Sequence, residues 1–211
     1  MYIPRHYEET RLDVLHRLIE SQPLASLITM GSSGLFASHL PMVLHREDAP
    51  HGLLRGHLSR ANPQWRDLSP SVDALAIFAG PEHYITPNWY REKFETGKVV
   101  PTWNYAVVHA YGSLRIVEDP AWLLAHLNRL TATHETGSPT PWQVGDAPAD
   151  FIASISKGIV GVELPIRRIE GKWKVSQNQS ERTRASVAKG LEDLNTSESL
   201  AMRDLVAGKR S

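Results

Sequence analysis

LASLITMGSSGLFASHLPMVL, residues 24–44, reads as two strands folded back on each other. Gly31 and Gly34 bracket Ser32 and Ser33, and glycine tolerates the positive φ that a tight hairpin turn needs. The flanks, 24–30 and 35–44, are short apolar runs bounded by turn residues, the signature of paired strands. Working outward, 53–58, 73–78 and 107–117 repeat that pattern, with Gly112 as a candidate bulge. Residues 159–169 and 173–175 read as a final hairpin turned at Glu170-Gly171.

Helices interrupt this β pattern. The first is predicted from about residue 8 to 20, where Leu12, Leu15, Leu18 and Ile19 recur at helical spacing and Pro23 stops the run. Asp119-Pro120 is an N-cap followed by proline at the first helical position, ahead of a stripe of Leu123, Leu124, Leu127 and Leu130. A third runs from about 149 to 157, closed by Gly158. The tail, 181–208, reads as one or two polar helices with Leu191, Leu194, Leu200 and Leu205 as apolar contacts. Strand and helix do not alternate, so a parallel βαβ sheet fits worse than a mainly β (α+β) antiparallel barrel with peripheral helices. No linker rich in Pro, Gly or Ser divides the chain. One domain over 1–211, with a helical extension from about 180, is expected.

Composition narrows the function. The 211 residues are 41% hydrophobic and 22% charged, typical of a globular protein. Lys plus Arg and Asp plus Glu are both 23, for a formal net charge of zero. That balance lends no support to a dedicated nucleic-acid binder. The absence of cysteine excludes disulfides, thiolate nucleophiles and Cys-ligated metals. No apolar run approaches the roughly 20 residues needed to span a bilayer, and MYIPRHYEE lacks the apolar core of a signal peptide. A cytoplasmic protein without a membrane partner is expected.

Four stretches combine polar and aromatic residues. GHLSRANPQW, 56–65, presents His57, Ser59, Arg60 and Asn62 in quick succession, a cation with several hydrogen-bonding groups, as a phosphate site requires. A strand end running into a surface turn would show the same residues. YITPNWY, 84–90, suits the wall of a planar ligand or a packed loop equally. VPTWNY, 100–105, interleaves Thr102 and Asn104 with Trp103 and Tyr105; that mixture fits the faces and edge of a heteroaromatic ring, or a strand with an aromatic core face. GKWKVSQN, 171–178, puts Lys172 and Lys174 on one strand face, followed by Ser176, Gln177 and Asn178. This is either a solvated edge or an anion site.

Other signatures are missing. Ten histidines include no pair at a zinc-ligand spacing such as HExxH, so no metal is expected. There is no GxGxxG, GxxxxGK[ST] or GxSxG, and the acidic residues form no evident acid/base pair. No catalytic residue is assigned.

Taken in order, MYIPRHY, ASHLP (37–41), GHLSRANPQW, YITPNWY, VPTWNY, THE (133–135), IVGVE (159–163) and KWKVSQN resemble the PaiB family of FMN-binding negative transcriptional regulators. The likeness spans roughly residues 1–194, and VPTWNY and the KxKxSQN run are its most specific parts. It implies a split β-barrel of the flavin-reductase and pyridoxamine-oxidase type, a homodimer, and FMN in a groove between subunits. Carried onto this chain, it makes Ser59, Arg60 and Lys174 the first phosphate candidates, then His57 and Asn62. Ser38, His39, Thr102, Trp103 and Asn104 are candidates for the ring or ribityl chain, and Ser176, Gln177 and Asn178 for contacts from a partner subunit. It also implies repression of protease and sporulation-type genes, although no recognition helix rich in Arg or Lys is present. Two other functions remain open: a flavin oxidoreductase using reduced nicotinamide, and a split barrel holding haem or another planar anion such as pyridoxal phosphate.

Overall fold

A computed structural model describes residues 1–208. In chain order the regular elements are β1 (Glu8–Glu9), α1 (Leu12–Ser21), β2 (Leu24–Gly31), β3 (Gly34–Pro41), β4 (Val43–His45), β5 (Leu53–Ser59), β6 (Ala74–Ile85), α2 (Glu92–Glu95), β7 (Thr102–Gly112), β8 (Arg115–Val117), α3 (Pro120–Glu135), α4 (Ala149–Ser156), β9 (Ile159–Pro165), β10 (Arg168–Lys174), α5 (Glu181–Leu194) and α6 (Ser197–Val206). The fold is mainly antiparallel β with helices set between strands, as the sequence predicts. Both sheets have two outer strands, so neither closes on itself. Among the described residues no helix is long and apolar enough to cross a membrane. The last three residues of the expected helical extension lie outside the described residues.

The chain divides into two compact units. Unit 1 comprises Met1–Leu18, Ala79–Val108 and the chain from Glu170; unit 2 comprises Ile19–Phe78 and His109–Ile169.

In unit 1 the strands follow the order β1-β10-β7-β6. The first helix is shorter than predicted. Glu8 and Glu9 pair with Lys172 and Gly171 as a strand, and Glu9 accepts the backbone N–H and guanidinium of Arg11 just ahead of the helix. The final turn is also displaced. Residues 166–167 make the bend, and Gly171 lies inside β10. A Cβ at Gly171 would come within 2.2 Å of Leu15 Cδ2, so this glycine admits the packed helix instead of reversing the chain. Ile85, Tyr90, Val175, Val187, Leu191, Met202 and Val206 form a buried cluster, with α5 and α6 folded over it. Burying a large aliphatic side chain contributes roughly 1.5–3 kcal/mol.

In unit 2 the predicted hairpin is present. β2 and β3 pair from Leu24↔Pro41 to Gly31↔Gly34, and Gly34 takes a φ of 104°. The Asp67 carboxylate accepts the backbone N–H of Ser32 and Ser33 and the Ser33 hydroxyl, which fixes the turn and holds that acid well below the usual carboxylate range. The predicted partner strand is broken at Met42 into β3 and β4. A second sheet has the order β4-β5-β9-β8. The expected 107–117 strand is likewise split at 113–114, its first part beginning at Thr102. Asp119 caps α3 by accepting from Ala121 N–H, as its sequence predicts.

Candidate functional site

In unit 1, β7 and β10 carry a cavity of about 340 Å³. Alternation along β7 turns Thr102 and Asn104 into it and Trp103 away. Trp103 is half exposed and donates its indole N–H to Glu82. From β10, Lys174 Nζ donates to Thr102 Oγ1 at 2.5 Å and to the Trp103 carbonyl at 2.9 Å. Both acceptors are neutral, so the ammonium charge is not cancelled by them. Asn104 is buried and donates from Nδ2 to Ser176 Oγ at 2.9 Å.

Ser176 is buried with a φ of 64°. A non-glycine residue in the left-handed region is uncommon and costs of order 1–3 kcal/mol. The chain therefore holds this hydroxyl in place against its backbone preference. Asn178 also lines the cavity. Gln177 folds back on its own strand, accepting from Val175 N–H and donating to the Trp173 carbonyl.

The sequence reading missed Tyr7, Glu92 and Lys98 in the same lining, which also holds Tyr90 from the YITPNWY stretch. Burial pushes the Tyr90 phenol up, reinforced by the neighbouring Tyr7. Glu92 accepts from Thr183 Oγ1 at 2.7 Å, and that bond holds its carboxyl below the ordinary value. Two lysines against one glutamate leave the cavity net positive. Lys98 lies two residues before the VPTWNY stretch, but nothing in its spacing marks it.

Unit 2 gathers the other candidates. Asn62 caps a short 3-10 turn at Pro63–Arg66, accepting from Gln64 N–H, while its Nδ2 donates to Ser38 Oγ at 2.9 Å. His39 Nδ1 lies 3.0 Å from Ser26 Oγ. Ser59 Oγ accepts from Ala61 N–H. Arg60 is thoroughly occupied: it pairs with Glu118 and donates to the Lys157 and Ile159 carbonyls.

His57 stands opposite Gly161 in the β5–β9 register. The missing side chain there admits Trp122 of α3, whose ring would meet a Cβ at 2.3 Å. One turn on, His126 stacks on Trp122 at 5.3 Å and sets Nε2 3.2 Å from His57 Nδ1. Burial pushes both imidazoles down. His126, with the His57 charge as a second cause, is lowered to about 4. Its buried Nδ1 has no hydrogen-bond partner among the described residues. Trp122 Nε1 and Arg55 Nε both donate to Glu163 Oε1. Among the described residues no three His, Cys, Asp or Glu side chains form a metal-holding group.

A protein family described as "Putative FMN-binding domain" matches residues 1–168. The chain belongs to this family. It is 36% identical to an uncharacterized protein of Emericella nidulans, over 98% of this chain and 96% of that one. It is 29% identical to the "Protease synthase and sporulation protein PAI 2" of Bacillus subtilis, over 99% of this chain and 98% of that one. The latter match accords with the PaiB resemblance in the sequence. Among solved structures, the flavocytochrome Anf3 from Azotobacter vinelandii superposes with a TM-score of 0.61 at 14% identity, over 87% of this chain and 78% of that one. That likeness concerns the fold alone.

Proposed function

We propose that this member of the FMN-binding-domain family binds FMN, with the phosphate received by Lys174 in the unit 1 cavity. The observation that carries the reading is the Lys174 ammonium, fixed by two neutral oxygens inside a lined, net-positive recess. A preoriented cation beside a hydroxyl suits a phosphate monoester. Bound FMN would supply reversible two-electron storage at its ring. Lys174 and Lys98 would bind the phosphate, with Thr102 Oγ1 as a further donor. The Asn104–Ser176 pair and Asn178 offer uncharged donors and acceptors for ribityl hydroxyls or a ring edge. Tyr90, its phenol held protonated, offers an O–H at the same wall.

We also propose a homodimer. Support comes from β3, the outermost strand of its sheet, which exposes Leu35, Phe36 and Ala37 in succession, an edge of the kind that natural proteins cover. A role in transcription, which the PaiB resemblance implies, is proposed as indirect. The basic residues of α5 are already engaged: Arg182 with Glu95, Lys189 with Glu192 and Asp193, and Arg184 with the Val206 carbonyl.

The test is FMN titration of the purified protein, followed by flavin fluorescence and absorbance. Saturable one-to-one quenching, lost in Lys174→Met, is expected. A Soret band with no flavin binding would replace the reading with haem. Reduction of the bound flavin by a nicotinamide cofactor would make the protein an oxidoreductase, and a specific DNA shift would make it a direct regulator.

A further inference from the structure

A cavity of about 830 Å³ opens in unit 2 between α3 and α4, within the roughly 300–1,000 Å³ typical of small-ligand sites. Its walls follow from helical spacing. Pro120, Leu123 and Leu124 recur on one face of α3; Ala149, Ile152 and Ala153 recur on one face of α4. The helix α4 is apolar in sequence yet has no buried side chain, so the protein itself leaves that stripe uncovered.

The lining is chemically one-sided. Among the described residues it includes aliphatic side chains and no aromatic ring, so none of them stacks a flat ligand. Among the described lining residues, charge is confined to Arg60, Glu118 and Lys157; Arg60 pairs with Glu118 and donates to the backbone carbonyl of Lys157. Glu118 offsets Arg60. The Lys157 ammonium has no ion-pair partner among the described residues, which leaves the polar part of the lining with one uncompensated positive charge. An extended aliphatic chain ending in a single anionic group complements both features.

We propose that the α3–α4 cavity of unit 2 binds a free aliphatic carboxylate of fatty-acid type, with the chain along the two helical stripes and the carboxylate on Lys157. The site shares no residue with the cavity proposed for FMN, and the two proposals stand or fall separately.

Calorimetry with dodecanoate, held below its micellar concentration, tests this on the full chain, with dodecanol and naphthoate as comparison probes. Saturable one-to-one binding of dodecanoate is expected, weakened about tenfold by Lys157→Met as one charge-assisted contact is lost. Ala153→Trp should abolish it by filling the cavity; Ala149→Met on the same stripe serves if the tryptophan variant does not fold. FMN titrations of these variants should match the parent. The proposal is overturned by any of four results: no saturable heat up to about 1 mM, binding unmoved by the variants, naphthoate or dodecanol binding as tightly as dodecanoate, or a change in oligomeric mass in Ala153→Trp without ligand, which would make this face a subunit contact.

Discussion

The two cations that the sequence ranks together, Lys174 and Arg60, meet opposite fates. Lys174 is held by a hydroxyl and a carbonyl, so its position is fixed and its charge is left over. Arg60 is held by the Glu118 carboxylate and two carbonyls, so its position is fixed and its charge is cancelled. Two basic residues in equally suggestive motifs thus differ in what they offer an anion. The neutralising partner of Arg60 lies 58 residues away, where no local pattern reveals it. The comparison teaches that a positive charge marks an anion site only when its holders are neutral.

That contrast can be broken most directly by mutation. Lys174→Met should weaken FMN about 100-fold, the scale of losing a charge-assisted phosphate contact of roughly 3 kcal/mol, whereas Arg60→Met should change affinity less than about threefold. Equal losses in a fluorescence titration would erase the distinction. Ser176 sharpens it from the backbone side. Ser176→Val, a β-branched side chain forced to positive φ, should cost about 1–3 kcal/mol in denaturant unfolding. Ser176→Gly should keep stability while lowering FMN affinity, since it relieves the strain and removes the hydroxyl. A glycine variant with unchanged affinity would leave that strain unexplained.

Unit 2 has its own electrostatic signature. With His126 lowered from 6.5 to about 4 in the folded protein, the unfolded state binds more protons between those values. Stability from this group is therefore complete above pH 6.5 and drains as pH falls toward 4, by up to roughly 3 kcal/mol. Chemical unfolding across that window should show the slope, and His126→Gln should flatten it. An equally steep slope in the variant would place the acid sensitivity elsewhere. The smallest effect is expected for Asp67→Asn, which keeps the hairpin but weakens three hydrogen bonds at an exposed turn; a thermal melt should move only slightly.

Much of the fold was legible because local chemistry determines it. The Gly31–Gly34 turn and the Asp119-Pro120 cap are settled by residues within a few positions of one another. The misplaced features depend on distant partners. Gly171 looks like a turn residue until Leu15 is seen to require its missing Cβ, and Glu8 and Glu9 look helical until their pairing with β10 is known. β6 continues past Phe78 to Ile85, although Gly80 and Pro81 interrupt the pattern that sequence reading relies on. The candidate site divides in the same way. Alternation along a strand already placed Thr102 and Asn104 on one face. Lys98 and Glu92 come from separate segments, and no periodicity joins them to the others.

The pairing of β1 with β10 also bears on how the chain is made. Glu8 leaves the ribosome well before its strand partner Lys172 has been added. The segments of unit 2 are all translated once Ile169 has been added, before Lys174 exists. During vectorial synthesis, unit 2 can begin to fold first, while the opening segment waits for its partner strand. A nascent chain stalled in that interval would present an unpaired strand and an incomplete cavity to chaperones and proteases, so the cell would survey unit 1 for completeness later than unit 2.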